Sequence, residues 1–161
     1  MLTPAEILGP EGRIAARLTN YECRTEQLAM AEAVEKAIGR KEHLLVEAGT
    51  GVGKSFAYLV PAILHTVQDQ QASEEKKKPP RRVVVSTHTI SLQEQLVQKD
   101  IPFLNSVIPL EFSAVLVKGR SNYLSRRRLD NALSRAGSLF AQDEEYDQLR
   151  QIRDWADETA D

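Results

Sequence analysis

Eight consecutive residues, Ala48-Gly49-Thr50-Gly51-Val52-Gly53-Lys54-Ser55, have the composition of a loop that cradles phosphate. Glycines let the backbone turn so that several N–H groups, those of Gly51 through Ser55, converge on a polyphosphate at the positive end of a following helix. Lys54 would add a full positive charge on the β and γ phosphates, and the Ser55 hydroxyl is placed to ligate Mg²⁺. The strict pattern opens on glycine, where this chain has Ala48. A glycine-rich turn with a surface lysine is the plain alternative, so the flanking elements decide the reading.

Those elements must be a strand before the loop and a helix behind it. Leu44-Leu45-Val46 is a short apolar run ending in the loop, and Phe56 to His65 reads as a buried helix. Val83-Val84-Val85 and Ala114-Val115-Leu116-Val117 read as two further strands, with a helix from Ile90 to Val97 between them. Upstream, Thr3-Pro4-Ala5-Glu6 has the signature of a capped helix start, and Gly9-Pro10 ends that helix. A longer helix is expected from Glu26 to about Ile38, stopped by Gly39. Residues 68–82, with Pro79-Pro80 and Ala72 as their one apolar side chain, read as a charged surface loop. Beyond Gly119 the pattern is helical, with Leu139, Tyr146, Leu149, Ile152 and Trp155 or Ala156 marking the face of a long helix expected to pack. Strands alternating with helices predict an α/β fold: an incomplete parallel P-loop sheet flanked by helices, with a helical C-terminal segment. The expected division is 1–117 for the loop-bearing part and 118–161 for a basic, then acidic, helical segment.

Composition narrows the class. The chain has 161 residues, 21 Lys plus Arg against 23 Asp plus Glu, and a net charge of −2, so a nucleic-acid partner must be sought in local charge. One cysteine, Cys23, excludes an internal disulfide framework and a multi-cysteine zinc site, and it reads as a small buried hydrophobe. No apolar run reaches the ~18 residues of a membrane span, and the start lacks signal-peptide character. A cytoplasmic monomer without membrane contact is expected, and the last helix reaches Asp161 with no stop signal, as in a chain that continues.

The loop, together with YECRTEQLAMA (Tyr21 to Ala31), STHTISLQEQL (Ser86 to Leu96) and KGRSNYLSRRRL (Lys118 to Leu129), resembles the DinG/XPD-like superfamily II DNA helicases over nearly the whole chain. The resemblance implies a RecA-like ATP-binding domain, with ATP and Mg²⁺ as cofactors and single-stranded DNA as partner. It implies that Gln27 reads the adenine with Tyr21 and Arg24 near the base, and that Lys54 and Ser55 serve the phosphates and the metal. Thr87, His88 and Thr89 would touch the single-strand backbone, and translocation would run 5′ to 3′. Between Glu111 and Asp130 no acidic residue interrupts Lys118, Arg120, Arg126, Arg127 and Arg128, and Tyr123 lies among them, which is the composition of a phosphate-tracking patch with one stacking ring. A capped helix start for 87–89 and solvated charge for the arginines are the plain alternatives.

Two features depart from the resemblance. Hydrolysis needs a strand-borne acid to hold Mg²⁺, yet the second apolar run ends in Ser86-Thr87 and the third in Lys118-Gly119. Asp143-Glu144-Glu145 reads as a solvated helix face. Members with an iron–sulfur cluster carry their first cysteine ligand where this chain has Ser125, so no cluster is expected. The leading expectation is the ATP-binding portion of an ATP-dependent DNA helicase, inactive on its own. A non-catalytic nucleotide- or DNA-binding module is the main alternative, and a P-loop kinase or switch protein a third.

Overall fold

The computed structural model describes residues 2–76, 82–135 and 143–159. The Thr3 cap behaves as its neighbours dictate. Helix α1, Pro4–Leu8, opens on a reciprocal box in which the Glu6 N–H reaches Thr3 Oγ1 at 3.4 Å and Thr3 N–H donates to Glu6 Oε2 at 2.8 Å. The Thr3 backbone N–H, then its hydroxyl, holds the Glu6 carboxyl below the usual carboxylate range. Helix α2, Arg13–Arg17, follows, then α3, Thr25–Arg40. Gly39 lies inside α3, and Lys41 makes the left-handed turn after it, at φ 59° and ψ 41°. The expected glycine stop is thus displaced by two residues.

Helix α4 spans Lys54–Lys76 and carries Pro61 in its interior. It runs through part of the segment expected to be a charged loop, because Gln, Ala, Ser, Glu and Lys at 68–76 all tolerate helix and the breaking Pro79-Pro80 lies further on. Residues 77–81 lie outside the described residues. The expected helix from Ile90 is longer and more irregular: α5, Ile90–Gln95, passes through a π turn at Leu96–Asp100 into α6, Ile101–Val107. Pro102 has no N–H to give the preceding turn and its ring crowds the carbonyl four residues back, and a widened turn relieves both.

The expected parallel sheet is corrected by the structure. No strand and no ladder is present among the described residues, and the three apolar runs are irregular segments. Each stands with its middle side chains outward: Leu45 is 99% exposed, Val84 88% and Val115 84%. Three runs of three or four residues offer few cross-strand bonds, and a strand exists only through a partner. The core is therefore helical. Ile7, Leu8, Ile14, Ala31, Val60, Leu64, Leu96 and Leu104 belong to one buried cluster, and α3 against α4 is its most extensive pairing. The Phe56 and Phe103 rings stack at 5.6 Å between centroids and tie the first turn of α4 to α6.

The chain divides into two compact units, Met1–Leu116 and Val117–Asp161. The second contains a 3₁₀ turn at Arg120–Asn122, α7 at Arg126–Ser134 and α8 at Asp143–Glu158, with α7 packed on α8. Leu139 lies outside the described residues. The expected packing face of α8 is covered only in part: Tyr146, Leu149 and Ala156 are half-buried, whereas Trp155 is 56% exposed and Ile152 is exposed with it. No helix among the described residues is long and apolar enough to cross a membrane.

Candidate nucleotide-binding site

The glycine-rich segment follows the irregular Leu44–Val46 run and enters α4 directly. Gly51 and Gly53 have φ of 86° and 83°, backbone that a side chain disfavours. The first N–H groups of a helix lack intrahelical partners, so Lys54, Ser55 and Phe56 present theirs at the positive end of α4. Lys54 Nζ donates to the carbonyls of Gly49 at 2.6 Å and Ala48 at 3.1 Å, folding the lysine over the loop it closes. Burial raises the Tyr58 phenol above its ordinary pKa, and the neighbouring Ser55 hydroxyl partly offsets the shift.

Gln27 sits beneath the loop, 5% exposed, on the first turn of α3. Its Nε2 donates to the Gly53 carbonyl at 2.9 Å, and the same carbonyl accepts the Ala57 N–H of α4 at 3.2 Å. Its Oε1 faces Tyr21 Oη at 3.2 Å, and that hydroxyl also lies 2.8 Å from the Leu8 carbonyl at the end of α1. Burial holds the Tyr21 phenol above its ordinary pKa, with Cys23 adding to the shift and Arg24 opposing it. Cys23 is half-buried and its Sγ is 3.5 Å from the same Leu8 carbonyl. Gln27, Tyr21 and residues 49–55 are therefore brought together. Arg24 instead flanks α3 at its N-cap and pairs loosely with Glu22 at 3.9 Å.

The residues fit a nucleoside triphosphate on this geometry: two glycines at positive φ, open space where a Cβ of Gly49 or Gly51 would stand, a lysine above the loop and a buried amide below it. An amide offers two donors and two acceptor sites, of which one each is engaged. For Mg²⁺ the loop has the Ser55 hydroxyl at the start of α4, and no group of three His, Cys, Asp or Glu side chains that could hold a metal occurs among the described residues.

Thr89 caps α5 by accepting the Leu92 N–H at 3.3 Å, and Thr87 donates to the Thr89 carbonyl at 3.4 Å, with His88 exposed between them. In the second unit, the Tyr123 hydroxyl accepts the Lys118 N–H at 2.9 Å and Arg120 opens the 3₁₀ turn. Ser125 caps α7, its hydroxyl accepting the Arg128 N–H at 3.4 Å. Arg126 is held by α8: its Nη2 donates to the Ala156 carbonyl at 2.7 Å and to the Asp157 carboxylate. Arg153 reaches Asp130 at 3.7 Å and Asp157 at 4.0 Å. Sequence reasoning missed the Arg126–Asp157 pair, which 31 residues of separation leave without a local signal. The Arg153–Asp157 spacing of four on a helix was readable.

Residues 27–153 match the DEAD/DEAH box helicase family, and the chain belongs to that family. It is 34% identical over 155 residues to the ATP-dependent DNA helicase YoaA of Haemophilus influenzae, covering 96% of this chain and 22% of that protein. It is 44% identical over 115 residues to the ATP-dependent helicase DinG of Mycobacterium tuberculosis, covering 69% of this chain and 16% of that protein. A third relative, the 3'-5' exonuclease DinG of Bacillus subtilis, is 32% identical over 154 residues, which is 94% of this chain and 15% of the relative. The chain thus spans about a fifth or less of the length of these relatives. No solved structure matches it.

Proposed function

We propose that this chain is the ATP-binding portion of an ATP-dependent DNA helicase, in which ATP hydrolysis is coupled to movement along single-stranded DNA and unwinding of duplex. The observation that carries the reading is the loop itself: Gly51 and Gly53 at positive φ, Lys54 above them and the buried Gln27 amide on the Gly53 carbonyl. In this reading the backbone of residues 49–55 wraps the phosphates, Lys54 exchanges its two carbonyl partners for phosphate oxygens, and Ser55 ligates Mg²⁺. Gln27 reads the adenine with the amide capacity it has left. Mg²⁺, when bound, draws charge from the phosphate oxygens. The relatives named as DNA helicases support the choice of activity.

Thr87, His88 and Thr89 in the first unit, and Lys118, Arg120, Tyr123 and Arg126 in the second, are proposed to follow the backbone of single-stranded DNA. Arg126 must release Asp157 to do so. Ser125 supports a protein without an iron–sulfur cluster, since its oxygen serves as the cap of α7 where a thiolate would be required. A cytoplasmic monomer remains part of the proposal. A second reading, a nucleotide- or DNA-binding module without hydrolysis, is favoured for this chain alone by the second and third apolar runs, which end in Ser86-Thr87 and Lys118-Gly119 and bring hydroxyls and a lysine but no carboxylate. Calorimetric titration with MgATP, beside MgGTP and beside Lys54→Ala, tests the first reading; equal affinity for all three pairs would remove it.

A further inference from the structure

Gln27 is the one polar side chain buried in the first unit among the described residues, and its amide is held at both ends. The end toward the loop is understood from Gly53: Nε2 donates to a carbonyl that also closes the first turn of α4. The other end depends on proton supply. Tyr21 Oη carries one proton and faces two acceptors, the Leu8 carbonyl at 2.8 Å and Gln27 Oε1 at 3.2 Å. Cys23 brings a second donor to Leu8 at 3.5 Å, so the carbonyl retains a partner when the phenolic proton turns to Gln27. Without that hydroxyl, Oε1 would lie buried with no donor, which is costly, and the amide would rotate or withdraw.

We infer that Tyr21 is a positioning residue for the phosphate loop: its hydroxyl, with its one proton turned from the Leu8 carbonyl to Gln27 Oε1, fixes the Gln27 amide so that it donates to the Gly53 carbonyl. The loop is thereby connected through the Gln27 amide to Tyr21. Tyr21 in this role touches no nucleotide and acts through Gln27. Gly53 is matched to the arrangement, since a Cβ there would overlap Gln27 Nε2. The inference rests on the proposed nucleotide-binding reading for its affinity readout alone; its structural readout stands without ligand.

The test compares the chain with Tyr21→Phe, Gln27→Ala and the double variant by ¹H–¹⁵N spectra without nucleotide. Tyr21→Phe keeps the ring and its packing, and α6 resonances report that the fold is kept. Tyr21→Phe is expected to shift the Gln27 side-chain amide pair and the Lys54 N–H, which follows the Gly53 carbonyl. In the Gln27→Ala background, adding Tyr21→Phe should leave the Lys54 N–H where Gln27→Ala alone puts it. A merely structural tyrosine would move Lys54 by the same amount in both backgrounds, and that result, or an unmoved Lys54 N–H in Tyr21→Phe, overturns the inference. Titration with MgATP supplies the second readout: Tyr21→Phe should weaken binding about three- to tenfold in the Gln27 chain and not at all in Gln27→Ala. Coupled shifts in a chain that binds no ATP would uphold the positioning role and refute the nucleotide reading.

Discussion

Replacing each loop glycine by alanine separates three physical effects. All three changes reduce the freedom of the unfolded chain by a similar amount, about 0.4–1 kcal/mol, which cancels when they are compared with one another. A Cβ at Gly49 meets nothing within 4 Å and no positive φ is at stake, so Gly49→Ala is the reference. Gly51→Ala meets open space but at φ 86°, and the left-handed backbone costs about 1–2 kcal/mol. Gly53→Ala pays the same strain at φ 83° and also drives its Cβ into Gln27 Nε2, which must leave the Gly53 carbonyl. Losing that partner for a buried amide adds about 1–3 kcal/mol, so the destabilisation relative to Gly49→Ala totals about 2–5 kcal/mol. Urea unfolding with unchanged m-values measures each difference. In the Gln27→Ala background the overlap is gone, and the cost of Gly53→Ala should fall to that of Gly51→Ala. Equal costs for Gly51→Ala and Gly53→Ala, or an excess that survives in Gln27→Ala, would refute the reasoning.

Acid should expose the α1 box: Glu6 has a lowered folded pKa, so its contribution is present above the unfolded carboxylate value near 4.3 and is lost as pH falls through the lower folded value. Thr3→Val, which removes the hydroxyl side of the box, should flatten part of that loss in a series of urea midpoints from about pH 6 to pH 2. Binding of a single-stranded oligonucleotide, followed by anisotropy, should be weak and salt-dependent, with Arg127→Ala and Arg128→Ala each lowering the salt slope by up to about one unit. Arg126→Ala should lower it less, because Asp157 already holds that guanidinium, and Asp157→Asn should raise affinity; a flat salt response would remove the arginines from DNA contact. Arg126→Ala should also cost stability less than about 1 kcal/mol, since the ion pair is exposed on both sides. The chain alone should show no DNA-stimulated ATP hydrolysis, and a stimulated rate that disappears in Lys54→Ala would contradict the role given to the missing strand-borne acid.

Local signals in this sequence carried local structure, and they failed where partners decide. Thr3, Pro4 and Glu6 specified the start of α1 because a capping box is completed within four residues. The loop glycines were expected to let the backbone bend, and Gly51 and Gly53 do so at positive φ, which few other residues adopt. The apolar runs at 44–46, 83–85 and 114–117 read as strands because they are short and continuous, Val83-Val84-Val85 also being β-branched, yet pairing depends on hydrogen bonds from other segments, and here each run stands open on one side. The end of α4 was misplaced because charged helix formers look like loop when no apolar stripe accompanies them. Trp155 and Ile152 have the right spacing for a buried face, but spacing does not supply the surface that would cover them. At the site, Gln27 and Tyr21 were expected near a base, and their bonds to Gly53 and Leu8 had no signal in sequence because they join backbone carbonyls, which every residue carries.

The central claim, that residues 49–55 hold the phosphates of ATP, is tested most directly by calorimetric titration of the chain and of Lys54→Ala with MgATP. Lys54 bonds only loop carbonyls and is exposed, so the variant should keep the unfolding midpoint. A charge-assisted contact contributes about 1.5–3 kcal/mol, which predicts a loss of about tenfold or more in affinity. Affinity unchanged by the substitution, or a folded chain that binds no MgATP at all, would contradict the account.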